Sequence, residues 1–245
     1  MKRLLKSRII GLLLVLIGPM AQAQTYSLHW RTETALTGIG LGTGISALLI
    51  GRQIKPLSAA QIAVLDRRQV PVLDQKATYW GSEKARRASD LLFYGATAMP
   101  LLLLADRNIR GESAKVSVLY FETLLLSGGF TQLTKNLVHR SRPYTYNPDF
   151  PLGLKQGKDA RRSFFSGHTS STAASCFFAA KVWSDFHPHS KLKPLVWVTA
   201  ATFPALTGFF RIRAGRHFLT DVAVGYAVGA TIGYLVPYLH RQSTQ

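Results

Sequence analysis

Six apolar segments, spaced along the whole chain, constrain its fold more than any other feature. Each is 15 to 18 residues long, and none shows the period-two alternation of a half-buried strand, so length and composition favour helices. Each also lies near the lower length limit for crossing a bilayer. The sequence therefore predicts an all-α fold, a six-helix bundle that is transmembrane, with a soluble bundle of buried core helices as the alternative. The segments are 34–51, 91–105, 116–133, 169–183, 195–210 and 222–239.

The charge of the chain indicates an anionic partner. Its 245 residues carry a formal net charge of +18, and 47% of them are apolar. An excess of positive charge on this scale suits phosphates, an anionic membrane surface or nucleic acid. Because the apolar residues are gathered into long runs, we expect membrane lipids and no nucleic acid as partners. The mean hydropathy of +0.09 is low for a membrane protein, and the loops account for part of that value.

The first 23 residues have the pattern of a secretory signal. A basic start precedes a short apolar core at 9–17, and Ala21-Gln22-Ala23 is a small-x-small cleavage pattern. We therefore predict a signal peptide over 1–23 and a single domain over 24–245, with an uncleaved anchor helix as the alternative. The single cysteine of the chain lies in an apolar stretch, which excludes an internal disulfide and a cysteine-based zinc site.

Three short motifs in the C-terminal half carry groups that handle phosphate. In the last of them, His217 precedes Asp221 by four residues. On a helix the two would share a face, so the carboxylate could hold one ring nitrogen and leave the other free to attack. Arg211, at the end of an apolar segment, offers a planar guanidinium that can grip two phosphate oxygens. Taken alone, the His–Asp pair could equally be an ordinary capping or surface contact.

The other two motifs add a turn and two cations. Ser166-Gly167-His168 lies where a long loop meets the next apolar segment, and a helix N-terminus there would offer free N–H groups to an anion. His168 could donate a proton to a leaving oxygen. Lys135 and Arg142 follow another apolar segment, where both could clamp a phosphate. The alternatives are a plain serine cap and cations that stabilise a helix C-terminus.

In this order, the motifs resemble those of the phosphatidic acid phosphatase type 2 superfamily. The family pattern is Lys-x6-Arg-Pro, then Pro-Ser-Gly-His, then Ser-Arg-x5-His-x3-Asp. The chain departs from it at two positions, where Phe165 replaces the proline and Phe210 replaces the serine. The resemblance covers 135–221 together with the six-helix layout. The matching residues are Lys135, Arg142, Ser166, Gly167, His168, Arg211, His217 and Asp221.

The resemblance implies a phosphatase that works without a metal or another cofactor. In its mechanism His217 attacks phosphorus to form a phosphohistidine, Asp221 orients that histidine, and His168 protonates the leaving group. The chain has only 12 acidic residues, which also argues against a two-metal carboxylate site. The residues that the resemblance assigns to phosphate binding are Lys135, Arg142, Ser166, Gly167 and Arg211.

A lipid phosphate or diphosphate is the expected substrate. Such a site suits undecaprenyl diphosphate, phosphatidylglycerol phosphate, phosphatidate and the lipid A phosphates. No residue of the motifs distinguishes among these lipids. Three alternatives stay open: a soluble secreted acid phosphatase of the same superfamily, a related vanadium haloperoxidase, and a non-catalytic cationic membrane protein. The sequence does not address the oligomeric state.

Two arguments disagree about which side of the membrane carries the motifs. Segments on that side hold 18 lysines and arginines against 6 on the other, which by the positive-inside rule favours the cytoplasm. The resemblance implies the outer side of the inner membrane. Because several of these charges belong to the site, and long loops count for less, we predict a bacterial inner-membrane protein whose site faces the periplasm.

Overall fold

Five of the six apolar segments lie within long helices of the computed structural model, which describes residues 24–242, and the segment 91–105 begins in a long helix and continues into a 3₁₀ segment. The all-α prediction is confirmed, since this range contains no strand beyond one isolated bridge between Tyr26 and Arg241. The predicted signal peptide, residues 1–23, lies outside the described residues. The long helices are α1 (Trp30–Arg52), α2 (Glu83–Ala98), α3 (Ser113–Val138), α4 (Gly167–Phe186), α5 (Lys193–Arg213) and α6 (Leu219–His240).

The predicted count of six holds for the long helices only, because short helices also form in the loops. The loop between α1 and α2 contains two short α-helices. The others lie between α2 and α3 and between α3 and α4. The short α-helices are Ala59–Ala63, Val72–Gln75, Arg107–Gly111 and Leu152–Lys155.

Helix α2 begins eight residues before its apolar segment does. Ser82 caps its N-terminus by accepting a hydrogen bond from the Ala85 N–H at 3.2 Å, and a polar turn follows. After Ala98 the helix tightens into a 3₁₀ segment, Met99–Ala105, at Pro100, which has no N–H to donate to the α-helical pattern. The early start matters for function, because it places Asp90 inside the helix and not in a loop.

The helices run alternately up and down, so that the three motifs meet at one end of the bundle. At this end α1 and α3 are joined by a hydrogen bond of 2.6 Å from Asn136 Nδ2 to the Ala47 carbonyl. At the opposite end, His187 after α4 contacts Asp106 before α3 at 3.0 Å. The first and last described residues also lie at that opposite end, because Gln242 donates from its N–H to the Thr25 carbonyl at 3.0 Å.

Helix α4 forms the centre of the bundle and packs closely against α6. Three glycines of α6, spaced four apart, face the backbone of α4: Gly225 opposite Ser166, Gly229 opposite Ser170, and Gly233 opposite Ala174. A Cβ atom at Gly229 would overlap the Ser170 carbonyl oxygen. The stripe of small residues therefore lets two helix backbones approach each other, as the spacing indicates. This contact fixes the N-terminus of α4 beside the N-terminus of α6.

The outer faces of the bundle are apolar. Four helical stretches in the described residues are long and apolar enough to cross a membrane: Trp30–Arg52, Glu83–Ala105, Lys193–Arg213 and Leu219–His240. Large side chains on them point outwards, including Leu48 at 70% exposure and Leu102 at 74%. Apolar surface of this extent suits lipid and not water. The chain is a membrane protein, and the soluble bundle is disfavoured.

We expect Gly229→Ala to destabilise the protein, because the added methyl group must push α6 away from the α4 backbone. Overpacking of this kind costs about 1–3 kcal/mol or more. Gly42→Ala in α1 is the matched control, since a Cβ there meets nothing within 4 Å. Thermal unfolding in detergent should show a lower Tm for Gly229→Ala and an unchanged or higher Tm for Gly42→Ala. Equal Tm values would contradict the close α4–α6 contact.

Candidate active site

A cavity of about 370 Å³ opens where the three motifs meet. Six of the eight predicted site residues line it, and the other two, Ser166 and Asp221, are fully buried behind it. The lining also includes Asp159 and Arg162, which the sequence reasoning did not assign to the site. With four cationic side chains and one carboxylate in the lining, the cavity is suited to an anion. The predicted residues in the lining are Lys135, Arg142, Gly167, His168, Arg211 and His217.

His217 presents its Nε2 atom to this cationic wall. Arg142 Nη1 lies 3.1 Å from His217 Nε2. An arginine can only donate, so Nε2 is the acceptor and the imidazole proton resides on Nδ1. Burial, together with the charges of Arg142, Lys135 and Arg211, holds the pKa of His217 well below its ordinary value. The ring is therefore neutral near pH 7, with a lone pair on the nitrogen at the cavity.

Asp221 does not contact His217 in the way that the sequence spacing suggested. His217 precedes the first residue of α6, so the two residues do not share a helix face, and the distance from Nδ1 to Asp221 Oδ2 is 3.6 Å. That distance is too long for a hydrogen bond. The same oxygen accepts a hydrogen bond from the Phe218 N–H at 2.9 Å and another from the Ser163 hydroxyl. Asp221 thus fixes the start of α6 and presents a carboxylate towards the Nδ1 side of the ring.

A buried network that no motif contains supports Asp221. Arg140 Nη1 donates to Asp221 Oδ1 at 2.6 Å, and Arg140 Nη2 donates to Asp74 Oδ2 at 2.7 Å. Thr220 completes the network, with its N–H 3.0 Å from Asp74 Oδ1. Burial raises the pKa of Asp74, but the hydrogen bonds from Thr220 and Arg140 outweigh it and hold the pKa below its ordinary value. Neither Arg140 nor Asp74 is among the site residues that the sequence predicts.

Arg142 and Lys135 are held by the loop between α3 and α4. Arg142 Nη2 donates to Asp159 Oδ1 and Arg142 Nε donates to the Asp159 carbonyl, both at 2.9 Å. Lys135 Nζ donates to the Arg162 carbonyl at 2.7 Å. An ammonium has three donors, so Lys135 keeps capacity for an anion in the cavity. The long loop therefore positions both cations of the first motif.

Asp90, on α2, joins the second motif to the third. Its Oδ1 atom lies 3.0 Å from His168 Nε2 and 3.2 Å from Arg211 Nη1. Arg211 Nε is buried and has no hydrogen-bond partner within residues 24–242, so its guanidinium retains a free donor. The sequence reasoning missed Asp90, because it placed this residue just outside the apolar segment that follows. A Ser-capped polar turn before an apolar run was the signal that could have extended the helix over it.

The second motif forms the N-terminus of α4, as predicted. Ser166 is the N-cap, and its Oγ lies 2.9 Å from Thr169 Oγ1 and 3.4 Å from the Thr169 N–H. The structure therefore engages this hydroxyl in capping and places it behind the cavity. Gly167 and His168 lie in the first helical turn, where N–H groups have no intrahelical partner, and both line the cavity.

Gly215 brings His217 back towards Arg211. Helix α5 ends at Arg213, and Gly215 follows with a φ of +66°, a left-handed conformation that favours glycine. A side chain at Gly215 would also meet the Trp80 carbonyl. The Gly215 carbonyl in turn accepts a hydrogen bond from the Tyr144 N–H at 3.0 Å. The reversal explains how residues six apart in sequence line one cavity.

Comparison with known proteins agrees with the motifs. A profile described as "PAP2 superfamily" matches residues 116–245, which is more than half of the chain. The chain is 32% identical over 112 residues to the lipid A 4'-phosphatase of Porphyromonas gingivalis. That similarity covers 42% of this chain and 42% of the relative, so the chain matches less than half of the relative's length.

A solved structure is also similar to this chain. It is the crystal structure of the first transmembrane PAP2 type phosphatidylglycerolphosphate phosphatase from Bacillus subtilis. The identity is 24%, the alignment covers 82% of this chain and 94% of the other, and the TM-score is 0.44.

Proposed function

The chain belongs to the PAP2 superfamily, and we propose that it is a membrane phosphatase that hydrolyses lipid phosphates or diphosphates through a phosphohistidine on His217. The observation that carries this proposal is the position of His217, whose Nε2 atom lies 3.1 Å from Arg142 Nη1 at a cavity lined by four cationic side chains. A nucleophile and a set of cations in one enclosed place are what phosphoryl transfer requires.

In the first step, Arg142 Nη1 moves its hydrogen bond from His217 Nε2 to an oxygen of the bound phosphate, and the freed Nε2 lone pair attacks phosphorus. The N–P bond forms as the P–O bond to the leaving group breaks, and the departing oxygen takes a proton from His168. Burial and the Arg211 charge lower the pKa of His168 to about 4. The Asp90 carboxylate, 3.0 Å from His168, and the negative charge of the bound phosphate oppose this shift and favour the imidazolium form that can donate the proton. Asp221 stabilises the positive charge that develops on His217.

In the second step, water releases the phosphate. His168, now neutral, accepts a proton from water while the water oxygen attacks phosphorus and the N–P bond breaks. Lys135, Arg142 and Arg211 neutralise the equatorial oxygens in both steps, and the N–H groups at the start of α4 assist them. Because the cations are already fixed by Asp159, Asp90 and loop carbonyls, little reorganisation accompanies the reaction.

The donor set at the cavity supports a reaction without metal. Each acidic side chain near it is paired with a guanidinium: Asp159 with Arg142, and Asp90 with Arg211. The carboxylates are therefore spread around the wall as partners of cations, and they do not converge as metal ligands do. Among the described residues, the group of three convergent metal-type ligands lies elsewhere.

The apolar exterior supports a lipid substrate. The cavity lies at the end of the long helices, where a charged headgroup can reach the cations while its tails stay among the exposed apolar side chains of the bundle. The basic surface also draws anionic lipid to this end. These features favour the membrane enzyme over a soluble acid phosphatase and over a non-catalytic cationic protein.

We place the site on the periplasmic face of a bacterial inner membrane, as the family resemblance implies. Since both ends of the described chain lie opposite the cavity, Gln24 is then on the cytoplasmic side. A signal peptide that exported Gln24 would instead bring the cavity to the cytoplasm, provided that α1 spans the membrane. If α1 spans the membrane, a cleaved signal peptide and a cavity that faces the periplasm therefore exclude each other. Labelling of cysteines at the two ends of the bundle decides between them.

Replacement of the nucleophile tests the mechanism. We expect His217→Ala to lower kcat by at least about a thousandfold, because no other group can take the phosphoryl. Rapid acid-free quenching of wild-type protein with ³²P-labelled substrate should trap acid-labile phosphate that the variant lacks. His189→Ala, at an exposed loop position on the opposite end, is the control and should retain full activity. Normal turnover by a folded His217→Ala protein would refute the phosphohistidine.

Asp90 gives a sharper test of the geometry. Asp90→Asn removes the charge that supports the His168 imidazolium, so kcat should fall about tenfold or more, with the roughly 10²–10⁴-fold contribution of general acid catalysis as the upper limit. KM should stay constant or decrease, because Arg211 loses a competitor for phosphate. Asp106→Asn is the matched control, since Asp106 contacts His187 at the same 3.0 Å distance away from the cavity. A loss confined to KM would contradict the assigned role.

Substrate form tests the membrane assignment. In mixed detergent micelles, we expect a long-chain lipid phosphate to be hydrolysed with a higher kcat/KM than a water-soluble phosphomonoester, because its tails keep the headgroup at the level of the cavity. Surface dilution with neutral detergent should lower the rate on the lipid and leave the rate on the soluble ester unchanged. Equal rates on both substrates would favour the acid phosphatase.

Cysteine labelling tests the facing. In a Cys176→Ala background, Lys158→Cys marks the cavity end and Asn108→Cys marks the opposite end, both at exposed positions. With intact cells whose outer membrane is permeabilised, a membrane-impermeant maleimide should label Lys158→Cys and leave Asn108→Cys unlabelled until the inner membrane is opened. The reverse pattern would place the cavity in the cytoplasm.

A further inference from the structure

A second polar cluster lies inside the bundle, at the end opposite the cavity. Glu33 of α1, Glu122 of α3 and His240 of α6 direct their ligand atoms towards one another, and all these atoms lie within 4.8 Å. His240 Nε2 is 3.0 Å from Glu33 Oε1 and 3.7 Å from Glu122 Oε2. Glu122 and His240 are each only 1% exposed. Three helices thus bring two carboxylates and an imidazole to one buried point.

The hydrogen bond on the other side of the His240 ring fixes its tautomer. Nδ1 lies 2.7 Å from the Val236 carbonyl oxygen, which can only accept, so Nδ1 carries a proton. In the neutral ring, Nε2 then presents a lone pair to the two glutamates. Metal-binding histidines are commonly oriented in this way, with the second nitrogen donating to a backbone carbonyl.

Two carboxylate oxygens of the cluster lack hydrogen bonds. Glu122 Oε2 and Glu33 Oε2 are buried and have no partner among residues 24–242. The N-terminal position of Glu33 in α1 is favourable for a carboxylate, but Glu122 lies well within α3, where the helix dipole gives no such support. The other oxygens have partners, since Glu122 Oε1 accepts from the Thr37 hydroxyl at 3.4 Å and Glu33 Oε1 accepts from the His29 N–H at 3.0 Å. A buried carboxylate oxygen without a partner is costly, and in a membrane bundle an ionisable residue of this kind marks a site with a function.

We propose that Glu33, Glu122 and His240 bind a divalent transition-metal ion, with Zn²⁺ as the preferred ion. A divalent cation cancels the charge of both carboxylates and satisfies the free oxygens and the Nε2 lone pair together. A proton on His240 alone would leave one uncompensated negative charge in the apolar interior. Two carboxylates and one imidazole form a ligand set that Zn²⁺, Mn²⁺ and Fe²⁺ accept, and Zn²⁺ binds most tightly of the three.

The ion has a structural role. Glu122 and Lys135 lie on the same helix, roughly 20 Å apart at 1.5 Å per residue, so the ion is far from the phosphate cavity. It cross-links α1, α3 and α6, and thereby ties the first long helix to the last. The Glu33 side chain is 22% exposed, which gives the ion a path from the surface.

The test combines metal content with stability in the full-length protein in detergent. Protein stripped with dipicolinate is reloaded with ZnCl₂, dialysed, and measured for zinc by mass spectrometry and for Tm. We expect one zinc ion per chain and a Tm several degrees above that of the stripped protein, while phosphatase activity at low temperature is the same in both. A zinc content no higher than that of a dialysed blank would overturn the proposal.

Isosteric variants assign the zinc to this cluster. Glu122→Gln and Glu33→Gln each remove one charged ligand at nearly constant volume, so both should lose the zinc and the zinc-dependent rise in Tm. Glu83→Gln, at the exposed start of α2, is the control and should retain both. Zinc bound equally by the control and by both cluster variants would place it elsewhere and refute the assignment, whatever the outcome of the phosphatase assays.

Discussion

The site end of this bundle depends on Arg140. Its guanidinium joins Asp221, at the start of α6, to Asp74, in the loop before α2, and its flat face lies 4.2 Å from the centre of the Phe218 ring. Asp74 and Asp221 are both buried, and Arg140 supplies the positive charge that compensates them. Removal of one member of such a pair costs about 3–5 kcal/mol. The position of His217, one residue before Phe218, follows from this interaction.

The cations of the cavity are held by groups that a phosphate can replace. Asp159 pairs with Arg142, Asp90 with Arg211, and loop carbonyls accept from Lys135. The positive charges repel one another, and this repulsion would open the site if these partners did not hold the cations in place. When a substrate phosphate binds, its own ion pairs with these cations replace the existing ones. The binding free energy therefore reflects only the difference between the two sets of ion pairs. The geometry is therefore preorganised at the expense of affinity, as catalysis favours.

The sequence predicted the parts of the site that motifs encode, and it missed the parts that tertiary packing supplies. The apolar segments located all six long helices, and Ser166 was correctly placed at a helix start. The shared helix face predicted for His217 and Asp221 was wrong, because spacing along the chain cannot show that the helix begins between them, although the Asp221 carboxylate does lie 3.6 Å from His217 Nδ1. Asp90 and Asp74 come from regions distant in sequence, and only the folded bundle brings Asp90 to His168 and Arg211 and Asp74 to Arg140. A local pattern such as the Ser82 cap can place Asp90 on a helix, but it cannot show which distant residues that side chain contacts.

The up-and-down arrangement links the ends of the chain to the side on which the chemistry occurs. Tyr26 pairs with Arg241 at the end away from the cavity, so an even number of crossings separates them. Whichever side holds Gln24, the cavity opens on the other, and the proposed zinc cluster lies on the Gln24 side. The basic loops around the cavity oppose export under the positive-inside rule, yet two of these charges are paired in the fold, Arg140 with Asp74 and Asp221 and Arg142 with Asp159. Charges already paired in the fold bind their partners and not the anionic leaflet, so the raw count overstates the preference of this end for the cytoplasm.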